Sequence, residues 1–168
     1  MIMDAMVLIH LAKITLLKKS CEHFKKVEIP KEVYDEILIG KEKGYADATA
    51  IVELINSKKI MVKQVQDKML LKKAEEFNMQ GGEAEAVALY WSKKADYLAT
   101  DDDNVRKKSS LLGIKVIGTP SIILKLYEQK VISKEKFEES LSELRKIGWF
   151  SNSIIDKIFM EGLEWERQ

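Results

Sequence analysis

Apolar residues follow two rhythms along this chain, short runs suited to buried strands and longer stretches with one apolar stripe suited to helices. The first run is Met1 to Met3, ending at Asp4. From Ala5 to about Lys19, the residues Val7, Leu8, Leu11, Ile14 and Leu17 fall at helical spacing and predict one helix. Val27 to Ile29 predicts a second strand, and Pro30 then opens a helix carrying Val33, Ile37 and Leu38. A further helix is expected over Asp47 to Ser57, and Ile60 to Val65 alternates as a third strand. Asp67 to Phe77 reads as helical, with Gly81-Gly82 as the break before an Ala-rich helix from Glu83 to Lys93. Tyr97 to Thr100 predicts a fourth strand running into three successive acids, Asp101 to Asp103. A helix over Asn104 to Leu112 is stopped by Gly113, and Lys115 to Ile117 is the fifth strand. Thr119-Pro120 reads as an N-cap followed by proline at the first helical position. Two more helices are expected near Lys134 to Lys146 and Asn152 to Glu161.

Strands separated by helices imply crossover connections, hence a parallel sheet covered on both faces. The fold class is α/β with extra helices at the C-terminus. With 168 residues, two prolines and no linker-like segment, the chain reads as one domain, its core over about residues 1–130 and a helical extension from about 131 to 168. The 28 basic and 27 acidic residues nearly cancel, which argues against a strongly basic nucleic-acid coat but leaves nucleic acid open as a substrate. The single cysteine, Cys21, permits no internal disulfide and no cysteine-based zinc site, and suggests a reducing, cytoplasmic setting. The start MIMDAMVLIH lacks a basic leader region, and no apolar run nears the roughly 20 residues a bilayer requires, so no membrane association is expected.

The acids carry the candidate chemistry. Ligand sites in open parallel sheets form outside the carboxyl ends of the strands. Asp4 ends the first strand and Asp101 the fourth, Glu83 begins the helix leading into the fourth, and Glu36 lies on the helix after the second. If the first and fourth strands are neighbours, Asp4 and Asp101 face each other across a crevice. Crowded carboxylates remain ionised only with a cation among them. Hard carboxylate oxygens suit Mg²⁺ or Mn²⁺, one or two of which can activate water and stabilise the leaving oxygen of a phosphodiester. Each acid also has a plainer reading: Asp4 as a helix cap, Asp102 and Asp103 as dipole partners, Glu36 as a solvated position, Glu83 as a first-turn acid. Their joint placement favours a site.

The same residues resemble a known family. DAMVLIHLAKI (4–14) resembles the first motif of PIN-domain proteins, and IPKEVYDEIL (29–38) is similar to the second, which carries a Glu. GGEAEAVALYWSKKADYLATDDDNVR (81–106) resembles a GE-A-EA…L-x-DD…R pattern in a prokaryotic branch of predicted PIN nucleases. GIKVIGTPSIILKLYEQKVIS (113–133) and GWFSNSIIDKI (148–158) continue the likeness over nearly the whole chain. The resemblance implies a three-layer α/β/α fold with strand order 3-2-1-4-5. It also implies an endoribonuclease dependent on Mg²⁺ or Mn²⁺, with RNA as partner. Many relatives are toxins of the virulence-associated type, which implies a small antitoxin as a second partner. Carried over residue by residue, Asp4, Glu36, Glu83 and Asp101 are the catalytic acids. Asp4, Glu83, Asp101 and Asp102 are the metal ligands, and Arg106 is the substrate-binding cation. Glu85, two residues past Glu83, should point to another side of its helix. Met6 departs from the pattern, standing where relatives often carry a small hydroxyl or Asn.

Other candidates are weaker. His10 lies on the first helix and faces away from Asp4, and two histidines without a cysteine partner make no zinc site. No HExxH, GxSxG or GxxxxGK[ST] motif occurs. Lys107 and Lys108 read as a solvated face. Trp91, Trp149 and Trp165 are scattered in sequence and do not suggest a stacking platform, and Trp149-Phe150 reads as a core cap or oligomer contact. The apolar tail helices make a homodimer a further expectation. Three functional readings stand: a toxin nuclease, a housekeeping RNA-processing nuclease, and a non-catalytic module that binds RNA or protein.

Overall fold

In this computed structural model, which describes residues 1–167, the strands are short because the segments between helices supply only a few apolar residues each. They are β1 (Ile2–Met3), β2 (Val27–Pro30), β3 (Ile60–Lys63), β4 (Leu98–Ala99) and β5 (Val116–Ile117). All pair in parallel in the order β3-β2-β1-β4-β5. Successive side chains on a strand point to opposite faces. Met3, Ala99 and Ile117 accordingly join one apolar core, while Ile2, Leu98 and Val116 join another on the far side. The sheet is thus the middle of three layers, as the resemblance implied.

The crossovers are α1 (Ala5–Lys13) and α2 (Leu17–Phe24), then α3 (Lys31–Glu42) and α4 (Ala46–Asn56), then α5 (Lys68–Glu76) and α6 (Gly81–Lys93), then α7 (Asp103–Leu112). Helices α8 (Thr119–Glu128), α9 (Lys134–Ile147) and α10 (Asn152–Glu166) follow β5. One core is built on α1 to α4 and α8 to α10, the other on α5 to α7. Phe137, Leu141, Leu144, Ile155 and Ile158 of the last two helices belong to the first core, so most of the tail's apolar stripe is spent on packing against the sheet layer's own helices.

Three local expectations are corrected. The single helix expected over Ala5 to Lys19 is two, because Thr15 takes φ 59° and turns the chain. That break lets Ile14, Leu16 and Leu17 all be buried, which one continuous helix face cannot do. Gly81 and Gly82 open α6 instead of ending α5, which stops at Phe77-Asn78. Gly118, not Thr119, is the N-cap of α8, placing Pro120 one residue deeper and leaving the Thr119 side chain available for other bonds.

The chain runs from β1 outward to β2 and β3, then returns to place β4 on the other side of β1. This reversal, between β1 and β4, is where a crevice forms at the carboxyl ends of a parallel sheet. Asp4 and the Thr100–Asp103 segment emerge there.

Candidate active site

Four carboxylates line one cleft of about 430 Å³ outside the ends of β1 and β4: Asp4, Glu36, Glu83 and Asp102. Each is held by a different element. Asp4 caps α1, its Oδ1 accepting the Val7 N–H at 3.0 Å. Asp102 caps α7, its Oδ1 accepting the N–H groups of Asn104 at 2.7 Å and Val105 at 3.1 Å. Glu83 sits in the first turn of α6 and accepts the Asn104 side-chain amide at 2.8 Å. Glu36 reaches across from the middle of α3 to the Gly82 backbone N–H. A Cβ on Gly82 would stand 2.8 Å from Glu36 Oε1 and 3.1 Å from Val33 Cγ2, so an added methyl group would push the Glu36 carboxylate back from this approach.

The N-termini of α1, α6 and α7 all open toward this cleft, and their unpaired N–H groups offset part of its negative charge. They do not offset all of it. Burial raises the Asp4 carboxyl to about 7, against the hydrogen bonds from Thr100 and Val7, with the neighbouring charges of Asp101 and Asp102 adding to the rise. Desolvation also raises Glu36 and Glu83, helped by Glu32 in the first case and by Asp102 in the second. Among the described residues, no Lys, Arg or His lines the cleft. Thr100, buried behind it, ties the two aspartates together: its oxygen accepts the Asp102 N–H at 3.1 Å and its side chain bonds Asp4.

Asp101 is placed differently from the sequence expectation. Leaving β4, Asp101 and Asp102 point to opposite sides, and it is Asp102 that joins Asp4 in the cleft. The Asp101 side chain is fully buried and its oxygens are taken up by protein donors. Thr119 N–H donates to Oδ1 at 2.7 Å, the Thr119 hydroxyl to Oδ2, and His10 Nδ1 lies 2.8 Å from Oδ2. The backbone carbonyl of Asp101 accepts Trp149 Nε1–H at 3.3 Å. Asp101 therefore fastens α1, α8 and the α9–α10 link to the end of β4. His10 does face away from Asp4, yet it meets the other acid.

Glu85 points away as expected, accepting the Glu32 N–H at 3.0 Å and so capping α3 from outside. Lys107 pairs with Asp103 at 3.9 Å and Lys108 donates to the Phe77 carbonyl at 2.6 Å, both bland surface roles. Arg106 lies outside the acidic cleft, its guanidinium close to Gly118 and to a second cleft that shares Asp102 with the first. Met6 lines the acidic cleft with a thioether that offers little to a hard cation. The supporting residues Thr100, Asn104, Thr119 and Gly82 escape a reading of the sequence. Their types are ordinary at helix starts, and only the packed fold turns them toward the acids.

A sheet in the order 3-2-1-4-5 is what the resemblance implied; of the acids it pointed to, Asp4, Glu36, Glu83 and Asp102 line one cleft and Asp101 does not. A family model described as a PIN domain matches residues 1–161. The chain belongs to the PIN-domain family. No curated protein and no solved structure matches it. PIN domains are in general nuclease modules acting on nucleic acid, and they generally use divalent ions. The oxygen-only donor set of this PIN domain suits such an ion, and Asp4 and its neighbours carry charge that the protein itself leaves uncompensated. Among the described residues, no group of three or more His, Cys, Asp or Glu side chains already stands at coordinating distance around one point. No helix among those residues is long and apolar enough to cross a membrane.

Proposed function

We propose that this PIN domain is a metal-dependent endoribonuclease whose working acids are Asp4, Glu36, Glu83 and Asp102. The single observation that carries this reading is the cleft itself, which four carboxylates from four elements line with no Lys, Arg or His among the described residues beside them. The residues that would hold Mg²⁺ or Mn²⁺ are Asp4, Asp102 and Glu83, with Glu36 across the cleft. Such an ion, when bound, supplies the positive charge that stabilises a reacting phosphodiester and makes water a better nucleophile.

The chain's own contribution is positioning and proton handling. Thr100 and the α1 and α7 caps fix Asp4 and Asp102 on rigid helix starts, so that an RNA phosphate brought to the cleft meets a preorganised site. Glu36 is exposed and Glu83 half-buried, so their carboxylates would be the ones free to adjust around an ion held by Asp4 and Asp102. Glu36 and Glu83, with raised proton affinity, are placed to accept a proton from water or return one to the leaving oxygen. Arg106 lies beside the path of the strand and would meet a neighbouring phosphate.

Cleavage of an end-blocked RNA in Mn²⁺ tests this reading. The wild type should cut internally, and Asp102→Asn should lose at least about a hundredfold of the rate, the scale set by removing a key electrostatic element of a site. Equal cleavage by pure wild type and Asp102→Asn protein would remove the assignment. The finer biological reading is a toxin of the virulence-associated type acting in the cytoplasm and silenced by a small antitoxin that occupies the cleft. Addition of a protein encoded beside it should then stop cleavage, whereas a housekeeping processing enzyme would be indifferent. A second reading, a non-catalytic RNA-binding PIN module, is favoured by Met6 alone: it predicts RNA binding with no Mn²⁺-dependent cleavage, and gain of cleavage in Met6→Ser.

A further inference from the structure

A second cleft, of about 610 Å³, opens next to the acidic one and shares Asp102 with it. Its walls are the start of α7, with Arg106, and the link between α9 and α10, with Trp149, Ser151 and Ile154. The link is built to present the tryptophan. Gly148 ends α9 in the left-handed region at φ 76°, and Ser151 caps α10 three residues later. Between them, adjacent residues face opposite ways. Phe150 is buried edge-on against His10 at 5.3 Å, while Trp149 remains 53% exposed. The indole is nonetheless fixed, because its Nε1–H donates to the Asp101 carbonyl at 3.3 Å and its ring lies 6.0 Å from that of His10.

A pinned aromatic ring with an open face is costly to leave in water and well suited to stacking. Arg106 is the one cation among the residues lining either cleft, and it forms no ion pair among the described residues. Gly118 makes room for it, since a Cβ there would stand 2.7 Å from the guanidinium Nη1. A strand whose phosphate lies among the acids would run through shared Asp102 into this cleft. We propose that Trp149 and Arg106 form a subsite for one unpaired nucleotide of the RNA, the base stacking on the indole and an adjoining phosphate meeting the guanidinium. This subsite rests on the nuclease reading for its placement beside the scissile bond, though binding there does not require cleavage. Single-stranded recognition follows, because a base inside a helix offers no free face.

The test uses the full chain carrying Asp4→Asn, a change in the acidic cleft at a residue that does not line the second one, and a fluorescent single-stranded hexaribonucleotide in Mg²⁺. Replacing each nucleotide in turn by an abasic unit should weaken binding roughly tenfold at one position, the usual worth of one base stacked on an aromatic side chain. Adding Trp149→Ala should erase that positional effect, and Trp149→Phe should keep most of it. Arg106→Ala should weaken all the oligonucleotides alike and lower the salt dependence. Equal losses at every position, a positional loss that survives Trp149→Ala, preference for the duplex, or no binding at all would each overturn the proposal. If Trp149→Ala does not fold, the abasic series in the Trp149-containing protein together with Trp149→Phe decides it. Cleavage by wild type with an unchanged KM in Trp149→Phe and Trp149→Ala would leave the nuclease and remove the subsite. A Trp149-dependent abasic position in a protein that never cleaves would do the reverse.

Discussion

Asp101 and Asp102 are neighbours with opposite fates. One is sealed in the protein by His10 and Thr119, while the other faces the cleft. The sequence presents them as an acid pair after a strand, and nothing local says which member turns outward, because that depends on the register of a two-residue strand. Asp4 was legible from its position after a strand, Glu83 from its helix start and Glu36 from its place on the helix after β2, and all three line one cleft. The Asp101 role predicts a stability effect: Asp101→Ala leaves the Thr119 N–H, the Thr119 hydroxyl and His10 without their acceptor. A loss of about 2–5 kcal/mol in denaturant unfolding is expected, against less than about 1 kcal/mol for Asp102→Ala beyond its lost cap.

Asp4 predicts a pH effect of definite sign. Its folded-state value is raised from 3.8 to about 7, so below about pH 4 it is protonated in both states and costs nothing. As pH rises through about 7 the buried carboxylate must ionise, and the ion-free protein loses stability on the order of a few kcal/mol. A divalent ion held by Asp4, as proposed, would offset that loss and release the proton. Melting temperature without ion should therefore fall between pH 5 and pH 8, and the stabilisation by Mn²⁺ should be larger at pH 8. Equal Mn²⁺ shifts at the two pH values would refute this part.

Among the elements, the helix that begins at Gly81-Gly82 matters most. Two glycines look like a break, but they are the first turn of α6, and Gly82 sets a backbone N–H against Glu36 where an added Cβ would crowd the carboxylate. Gly82→Ala should improve helix propensity by up to about 1 kcal/mol while pushing Glu36 aside. The expected outcome is a melting temperature within a few degrees of wild type, with a Mn²⁺ affinity several-fold weaker. The division of the first long helix at Thr15 was illegible for another reason. Both halves keep helical spacing, and only the burial of Ile14, Leu16 and Leu17 on either side of Thr15 forces the turn. Thr119-Pro120 differs by a single position, since Gly118 caps α8 and frees Thr119 to hold Asp101.

For the molecule as a whole, the alternation of strands and helices gives the α/β class, while the strand order came from the resemblance and is matched by the sheet. That order places the reversal between β1 and β4 and so fixes where the acids gather. The tail helices add the first core's closing layer and carry Trp149 to the edge of the site, a long-range placement no spacing in the sequence reveals. The most direct test of the cleft as a metal site is calorimetric titration with Mn²⁺ of wild type, Asp102→Asn and Asp101→Asn, each first shown to be folded by its melting curve. Strong binding by wild type, binding retained in Asp101→Asn and binding lost in Asp102→Asn is the predicted result. No Mn²⁺ binding by the wild type, or binding that depends on Asp101 and not on Asp102, would contradict it.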